Sequence, residues 1–307
     1  HEKSISKLIN TMARSGAGTD ECLKAGSLPV PVDFYFSVPD IKDLEKRKIW
    51  DKRSKLEGIN FNIDFQLKLL KELGEEFSEE CNWPYSSTDS SKFYLDESIP
   101  FSFGCAALTN CIIRKYKPKN IIEFGSGNSS KVIADAIKKN QTHNDINTTY
   151  TIIDPYPSSL IKENKIKSIT TLLEEKAENI DLEYFRNLSE NDILFVDSSH
   201  MVRTGSDVNF AILEVLPILK TGVIIHFHDI PMPFEYNKVY FTNPNFRVFW
   251  TESYLLQAFL INNDKVEVLS ALKYLMTEHV ELFSKTFNNY NPIKHKLISE
   301  SFWIRIK

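Results

Sequence analysis

The sequence predicts an α/β protein with a Rossmann-like, doubly wound sheet preceded by a helical and loop cap. Two observations carry this. From about residue 103 onward, short apolar runs rich in β-branched residues alternate with segments of helical periodicity, the pattern of a parallel sheet covered on both faces. The first of those runs ends in a glycine turn, Gly125-Ser126-Gly127, that opens a helix. Glycine is otherwise scarce, at 10 of 307 residues, so two within three positions mark backbone with a special task.

Residues 1 to about 28 are polar, broken at Ser15-Gly16-Ala17-Gly18, and read as a loosely attached helix or arm. Pro29, Pro31 and Pro39 then bracket Phe34-Tyr35-Phe36, which favours an extended segment over a helix. Ile63, Leu67, Leu70 and Phe77 recur at helical spacing across 62–78. Residues 82–101 form a Ser-, Asp- and Pro-rich loop with aromatic anchors Trp83, Tyr85, Phe93 and Tyr94. The alternation that follows gives helix 103–116, strand 120–124, helix 129–139, strand 150–154, helix 181–188, strand 192–197, helix 206–219 and strand 222–228. Two late strands, 265–269 and 302–306, flank helix 271–287. The expected division is an arm and cap at 1–102 and a catalytic domain at 103–307.

Composition excludes several classes. Charged residues at 25%, apolar at 42% and aromatic at 12% are globular values. A net charge of -4 and a pI near 6.0 give no general attraction to nucleic acid or anionic lipid, although a local basic patch remains compatible with them. No apolar run is long enough to span a membrane and the first 30 residues lack a signal-peptide core, so a cytoplasmic protein without membrane or nucleic-acid partners is expected. Cys22, Cys81, Cys105 and Cys111 are scattered and are expected as free thiols. The chain opens at His1 rather than methionine, as an excised segment would.

The turn after the first strand is the centre of the expected ligand site. Gly125 and Gly127 allow a tight turn and close approach of a ligand, and the free N–H groups of the following helix favour an anionic group. A dinucleotide fingerprint would place a third glycine where Ser130 stands. Instead, acids occupy two successive strand ends, Glu123 and Asp154, the latter followed by Pro155. A ligand carrying an amine, a carboxylate and a ribose fits them: Glu123 facing the amine, the helix start with Ser129 holding the carboxylate, and Asp154 accepting from the ribose hydroxyls.

On these residues the chain resembles a known family. The pattern Glu123-Phe124-Gly125-Ser126-Gly127-Asn128-Ser129, then Thr151-Ile152-Ile153-Asp154-Pro155, then Asp192 to His200, is similar to class I S-adenosylmethionine-dependent methyltransferases, and especially to a bacterial subgroup linked to methylation of sugars or secondary metabolites. The resemblance covers about 103–307, with Tyr35 to Asp40 similar to an N-terminal element of that subgroup. It implies a seven-stranded sheet with one antiparallel strand and S-adenosylmethionine as cofactor. Glu123, Gly125, Gly127 and Asp154 are the cofactor residues by the family pattern; Ser126, Ser129, Pro155, Asp197 and Ser198 complete the expected set. Adenine contacts fall somewhere within Glu174 to Glu178.

At the catalytic edge, Asp197-Ser198-Ser199-His200 ends the fourth strand. His200 is the expected general base, because an imidazole of ordinary pKa near 6.5 suits a hydroxyl nucleophile; its rival role is capping the next helix. The fifth strand places His226 and His228 on one face, with His228 and Asp229 at the ligand end and His226 as a core histidine. Some relatives hold Mg²⁺ with acids matching Asp197 and Asp229. His228 stands where they have an oxygen ligand, and imidazole is a poor Mg²⁺ ligand, so no metal is expected.

Acceptor contacts are expected from Tyr35, Asp229, Glu235, Tyr236, Glu252 and Tyr254, although Trp250 and Tyr254 at i, i+4 also suit a packed helix face. The resulting expectation is O-methylation of a small polar acceptor, a glycan hydroxyl or a secondary metabolite, with His200, Asp197 and His228 as the catalytic set. N-methylation of an amine drawn by Glu235 and Glu252 is the alternative. An NAD-binding oxidoreductase and a non-catalytic scaffold are the readings from other classes.

Overall fold

A computed structural model describes residues 1–96, 101–295 and 299–307; positions 97–100 of the expected aromatic loop lie outside the described residues. Seven strands form one sheet: β1 (Asn120–Phe124), β2 (Thr149–Ile153), β3 (Thr171–Leu173), β4 (Ile193–Val196), β5 (Ile224–Phe227), β6 (Val266–Ala271) and β7 (Phe302–Ile306). Their spatial order is β3-β2-β1-β4-β5-β7-β6. β7 runs antiparallel to both neighbours and the remaining pairs are parallel. Order reverses between β1 and β4, which leaves a crevice at their carboxyl ends where ligands of open α/β sheets bind.

Period-2 alternation divides each strand between two cores. Ile121, Ile193, Phe195 and Ile224 enter one apolar cluster with helices Phe103–Tyr116 and Asn128–Asn144. Ile122, Phe124, Leu194, Val196 and Phe227 enter the other, on the opposite face. β3 was not read directly from the sequence: its three residues are only half-buried and so carry no apolar run.

The chain divides into two compact units, residues 54–234 with 250–307 and residues 1–53 with 235–249. The boundary expected at 102 is therefore not where the chain parts. Helix Ile63–Phe77 belongs with the sheet: it buries Leu69, Leu70 and Leu73, and Gln66 Oε1 accepts the Ala271 N–H of β6 at 2.7 Å. The buried stripe is rotated from the expected one, leaving Ile63 38% exposed. In the smaller unit, helices Glu2–Ser15, Thr19–Lys24 and Ile41–Lys46 bury no residue. Trp50 Nε1 donates to the Tyr236 carbonyl at 3.1 Å, and Lys238 pairs with Glu45 at 2.7 Å. No described helix is long and apolar enough to cross a membrane.

Candidate active site

At the crevice, β1 and β2 are joined beyond their ladder by Gly125 N–H donating to the Ile153 carbonyl at 2.9 Å, and β4 is joined to β1 by Asp197 N–H donating to Phe124 at 3.1 Å. Gly125, Asp154 and Asp197 thus emerge at one level. Gly125 has φ +80, and a Cβ there would lie 2.1 Å from the Asp197 carbonyl oxygen. Only glycine fits that position. Gly127 faces open space.

Above this level lies a cavity of about 580 Å³, a size usual for small-ligand sites. Of the expected cofactor residues, Gly125, Ser126, Gly127, Ser129, Asp154, Pro155, Asp197 and Ser198 line it. Ser126 Oγ donates to Asp154 Oδ2 at 2.5 Å and the Tyr156 N–H to Oδ1 at 2.8 Å, which fixes the carboxylate while leaving acceptor capacity on both oxygens. Lys176, Ala177 and Glu178, just past β3, line the cavity too, within the stretch where adenine contacts were expected. Sequence reasoning missed Phe101, Tyr156, Arg203 and Asp207 on its wall. Only Arg203 and Asp207 had a signal, being in the polar loop after β4.

Glu123 is placed differently from the expectation. It is fully buried beneath the turn and does not line the cavity. Its carboxylate accepts from Ser129 Oγ at 2.6 Å, from Ser130 Oγ at 2.8 Å and from the Tyr150 hydroxyl. The Ser129 hydroxyl is therefore turned inward, away from the anionic ligand expected of it. Ser130, the residue in place of a third glycine, also accepts the Gly127 N–H at 3.0 Å. Glu123 shapes the turn rather than touching an amine.

Burial raises the Glu123 pKa to about 7 despite the three hydroxyl donors. A carboxyl raised in the folded state contributes stability that is complete below the unfolded value of 4.5 and lost as pH rises through 7. Glu123→Gln removes that loss, on the order of 3 kcal/mol. Its melting temperature should fall less steeply than the wild type's between pH 5 and about 7.5 in a buffer series; parallel curves would show that Glu123 does not titrate there.

His200 sits at the end of the β4 loop with φ +58, as Asp229 after β5 has φ +54. Two non-glycine residues in the left-handed region at one sheet edge are a strain that surrounding contacts must hold. His200 is 4% exposed. Its Nδ1 meets Glu252 Oε2 at 2.8 Å, and its Nε2 lies 3.6 Å from Asp197 Oδ1 and 3.4 Å from Asp229 Oδ2. Burial alone would lower its pKa, but Asp197, Glu252 and Asp229 raise it well above the ordinary value, so the ring is an imidazolium at neutral pH. Asp197 is held down to about 2, against the burial that pushes it up, by His228 and His200.

This corrects the part assigned to His200. It does not line the cavity, it faces three carboxylates rather than an open mouth, and it already carries the proton a base must accept. Nor does it cap the following helix. Ser206 does so, its Oγ accepting from Asn209 N–H at 3.2 Å. Asp197, on the cavity wall, stands between His200 and the ligand space.

His228 is also withdrawn, 5% exposed and stacked on Phe101 with centroids 5.2 Å apart. His226 is the core histidine expected, bonded to Ser301 Oγ at 2.7 Å and stacked on Phe195, with its pKa driven well down by burial. Glu252 is fully buried and bound to His200, so it is not an acceptor contact. Tyr254 is 48% exposed on helix Glu252–Leu260. Asp229 is at the edge described. Tyr35, Glu235 and Tyr236 belong to the smaller unit, where Tyr35 is exposed and Tyr236 buried. All four cysteines are free thiols.

A mostly parallel sheet with a glycine turn and an acid beside a cavity at its switch point is the arrangement with which open α/β sheets bind ligands. Residues 122–230 match the family described as methyltransferase domain. Over 196 residues the chain is 30% identical to an uncharacterized protein of Archaeoglobus fulgidus, an alignment spanning 62% of this chain and 86% of that one. Two solved structures are more distant, each 13% identical. One, described as cmcI-N160 SAH, has a TM-score of 0.38 over 72% of this chain and 86% of that one. The other, a methyltransferase candidate from Thermobifida fusca YX, has a TM-score of 0.32 over 68% and 84%. The chain belongs to the family of the Archaeoglobus protein and carries a methyltransferase domain.

Proposed function

We propose that the protein methylates a hydroxyl group of a small acceptor, a secondary metabolite or a glycan, and that the proton of that hydroxyl leaves to the Asp197 carboxylate. The observation that carries this reading is the ionic cluster behind the cavity wall: Asp197 facing the ligand space, with His200 between it, Asp229 and Glu252. S-adenosylmethionine bound in the cavity would supply an electrophilic methyl group on a sulfonium. Asp154 would hold its ribose hydroxyls, and the turn Gly125 to Gly127 with the helix start after it would receive its amino-acid portion. A carboxylate of low pKa is a weak base, so its contribution is late in the reaction, once the hydroxyl oxygen has gained positive character. His200 orients Asp197 and Asp229 and balances their charge.

Transfer to an amine has less support. Of the two acids offered for attracting a cationic acceptor, Glu235 and Glu252, the second is spent on His200. The test is transfer of labelled methyl from S-adenosylmethionine to paired acceptors that differ only in carrying a hydroxyl or an amine. Faster labelling of the hydroxyl member is expected; preference for the amine would reverse the assignment.

For the cofactor site, Asp154→Ala should weaken S-adenosylhomocysteine binding by about 1.5 to 3 kcal/mol, the range for hydrogen bonds to a charged group. Calorimetry on the folded variant measures this, and unchanged affinity would remove Asp154 from the ribose.

A further inference from the structure

A second cavity, of about 270 Å³, shares a wall with the first: Phe101 lines both. Among the described residues its other apolar surfaces are Leu95 and Phe103, and its polar ones include Tyr85, Asp96, His295 and Lys294. An apolar cavity of roughly 150 Å³ accommodates benzene, so this one has room for a one- or two-ring group. Its walls are built rather than incidental. The His295 ring stacks on Phe103 at 4.6 Å with an interplanar angle of 4° and on Tyr85 at 6.0 Å and 17°.

The hydrogen bonds fix which polar atoms remain available. His295 Nδ1 accepts the Asn291 N–H at 2.9 Å. Burial also lowers the pKa of this ring, so it is neutral and its single proton is on Nε2. Nε2 lies 3.0 Å from the Tyr85 oxygen and must donate to it. The Tyr85 hydroxyl, having accepted that bond, keeps its own hydrogen for another acceptor. Lys294 holds its ammonium 5.4 Å from the centre of the Tyr85 ring. One O–H donor and one cation therefore lie on the lining of an aromatic slot. Asp96, also on the lining, has an interaction of its own within the protein.

We propose that this second cavity is the acceptor's recognition subsite, taking a flat, apolar or aromatic body with an acidic head group held by Tyr85 and Lys294, while its hydroxyl passes Phe101 into the cofactor cavity. The inference rests on the methyltransferase reading above and narrows its acceptor to an acidic aromatic compound rather than a glycan. Aromatic walls favour a flat ring, and a cation beside a neutral donor favours a carboxylate over a neutral polar group.

The experiment uses the whole chain saturated with S-adenosylhomocysteine and titrates two probes by ligand-observed NMR, 4-hydroxybenzoate and its neutral counterpart 4-hydroxybenzyl alcohol. The carboxylate probe should bind at least about tenfold more tightly. Lys294→Gln should bring the two within about twofold, and Tyr85→Phe should weaken the carboxylate by a few-fold. Both side chains are exposed enough for the variants to fold, which their melting temperatures check. Leu95→Trp, which fills the slot without touching a polar atom, should block both probes. Equal binding of the two probes, binding of neither, or a preference that survives Lys294→Gln would overturn the subsite. The S-adenosylhomocysteine titration is read separately: its failure would strike the cofactor assignment, whereas failure of the probes with that titration intact strikes the subsite alone.

Discussion

Gly125→Ala is expected to destabilise the sheet unit by about 2 to 5 kcal/mol and to abolish cofactor binding. Two costs add. An L-residue at φ +80 loses roughly 1 to 2 kcal/mol to its own backbone. The new Cβ would also sit 2.1 Å from the Asp197 carbonyl oxygen, so the ends of β1 and β4 must separate, a strain typically of 1 to 3 kcal/mol. That carbonyl belongs to the residue whose carboxylate faces the ligand space, so relieving the clash moves the reactive edge as well. Gly127→Ala is the control. Its φ of 170 suits any residue and no atom lies within 4 Å of the added Cβ, so stability should change little while the methyl intrudes on the cavity it lines. Chemical denaturation and calorimetry with S-adenosylhomocysteine, run on both variants, separate fold from binding. A Gly125→Ala protein with wild-type stability would mean the turn adapts where the packing says it does not.

His200→Ala should lower kcat by roughly 10²-fold, the scale of a misplaced reactive group, with cofactor affinity nearly intact. It should also cost about 3 to 5 kcal/mol of stability, because Asp197, Asp229 and Glu252 are left without their shared counter-charge. His200→Gln is the more informative variant, since its amide can still donate toward Glu252 while the positive charge and the Nε2–H facing Asp197 and Asp229 are lost. The pH profile distinguishes the two roles open to an imidazole here. The raised pKa keeps His200 protonated through neutrality and the lowered one keeps Asp197 ionised, so kcat/KM should be flat across neutral pH. Were neutral His200 the base, activity would climb about tenfold per unit across that range. The stability linkage has the same sign: the contribution of a histidine raised in the folded state is complete below the unfolded value and fades as pH rises through the folded one. Near-wild-type turnover in a folded His200→Gln protein would end the positioning role.

The cavity wall around the glycine turn was legible because its geometry is local. Gly125, Gly127 and Asp154 stand at strand ends, and a strand end in a parallel sheet has only one edge to reach. The catalytic half was legible as residue types but not as roles. His200 reads as a base from its own loop, and becomes a buried imidazolium only because Glu252, 52 positions later, closes on its Nδ1. Glu123 reads as a ligand-facing acid until Tyr150, from the neighbouring strand, is seen to take its carboxylate into the core.

By itself, the sequence determined the strand and helix alternation, the glycine turn, the acid at the end of β2 and the family resemblance. These depend on periodicity and on backbone requirements that short segments carry in full. Tertiary structure decided which acids meet solvent and which are buried. It also decided which proton His200 and His295 hold, and that a second aromatic cavity abuts the first across Phe101. Those outcomes depend on partners tens to hundreds of residues apart, and a side chain's charge in a folded protein is fixed by its neighbours in space.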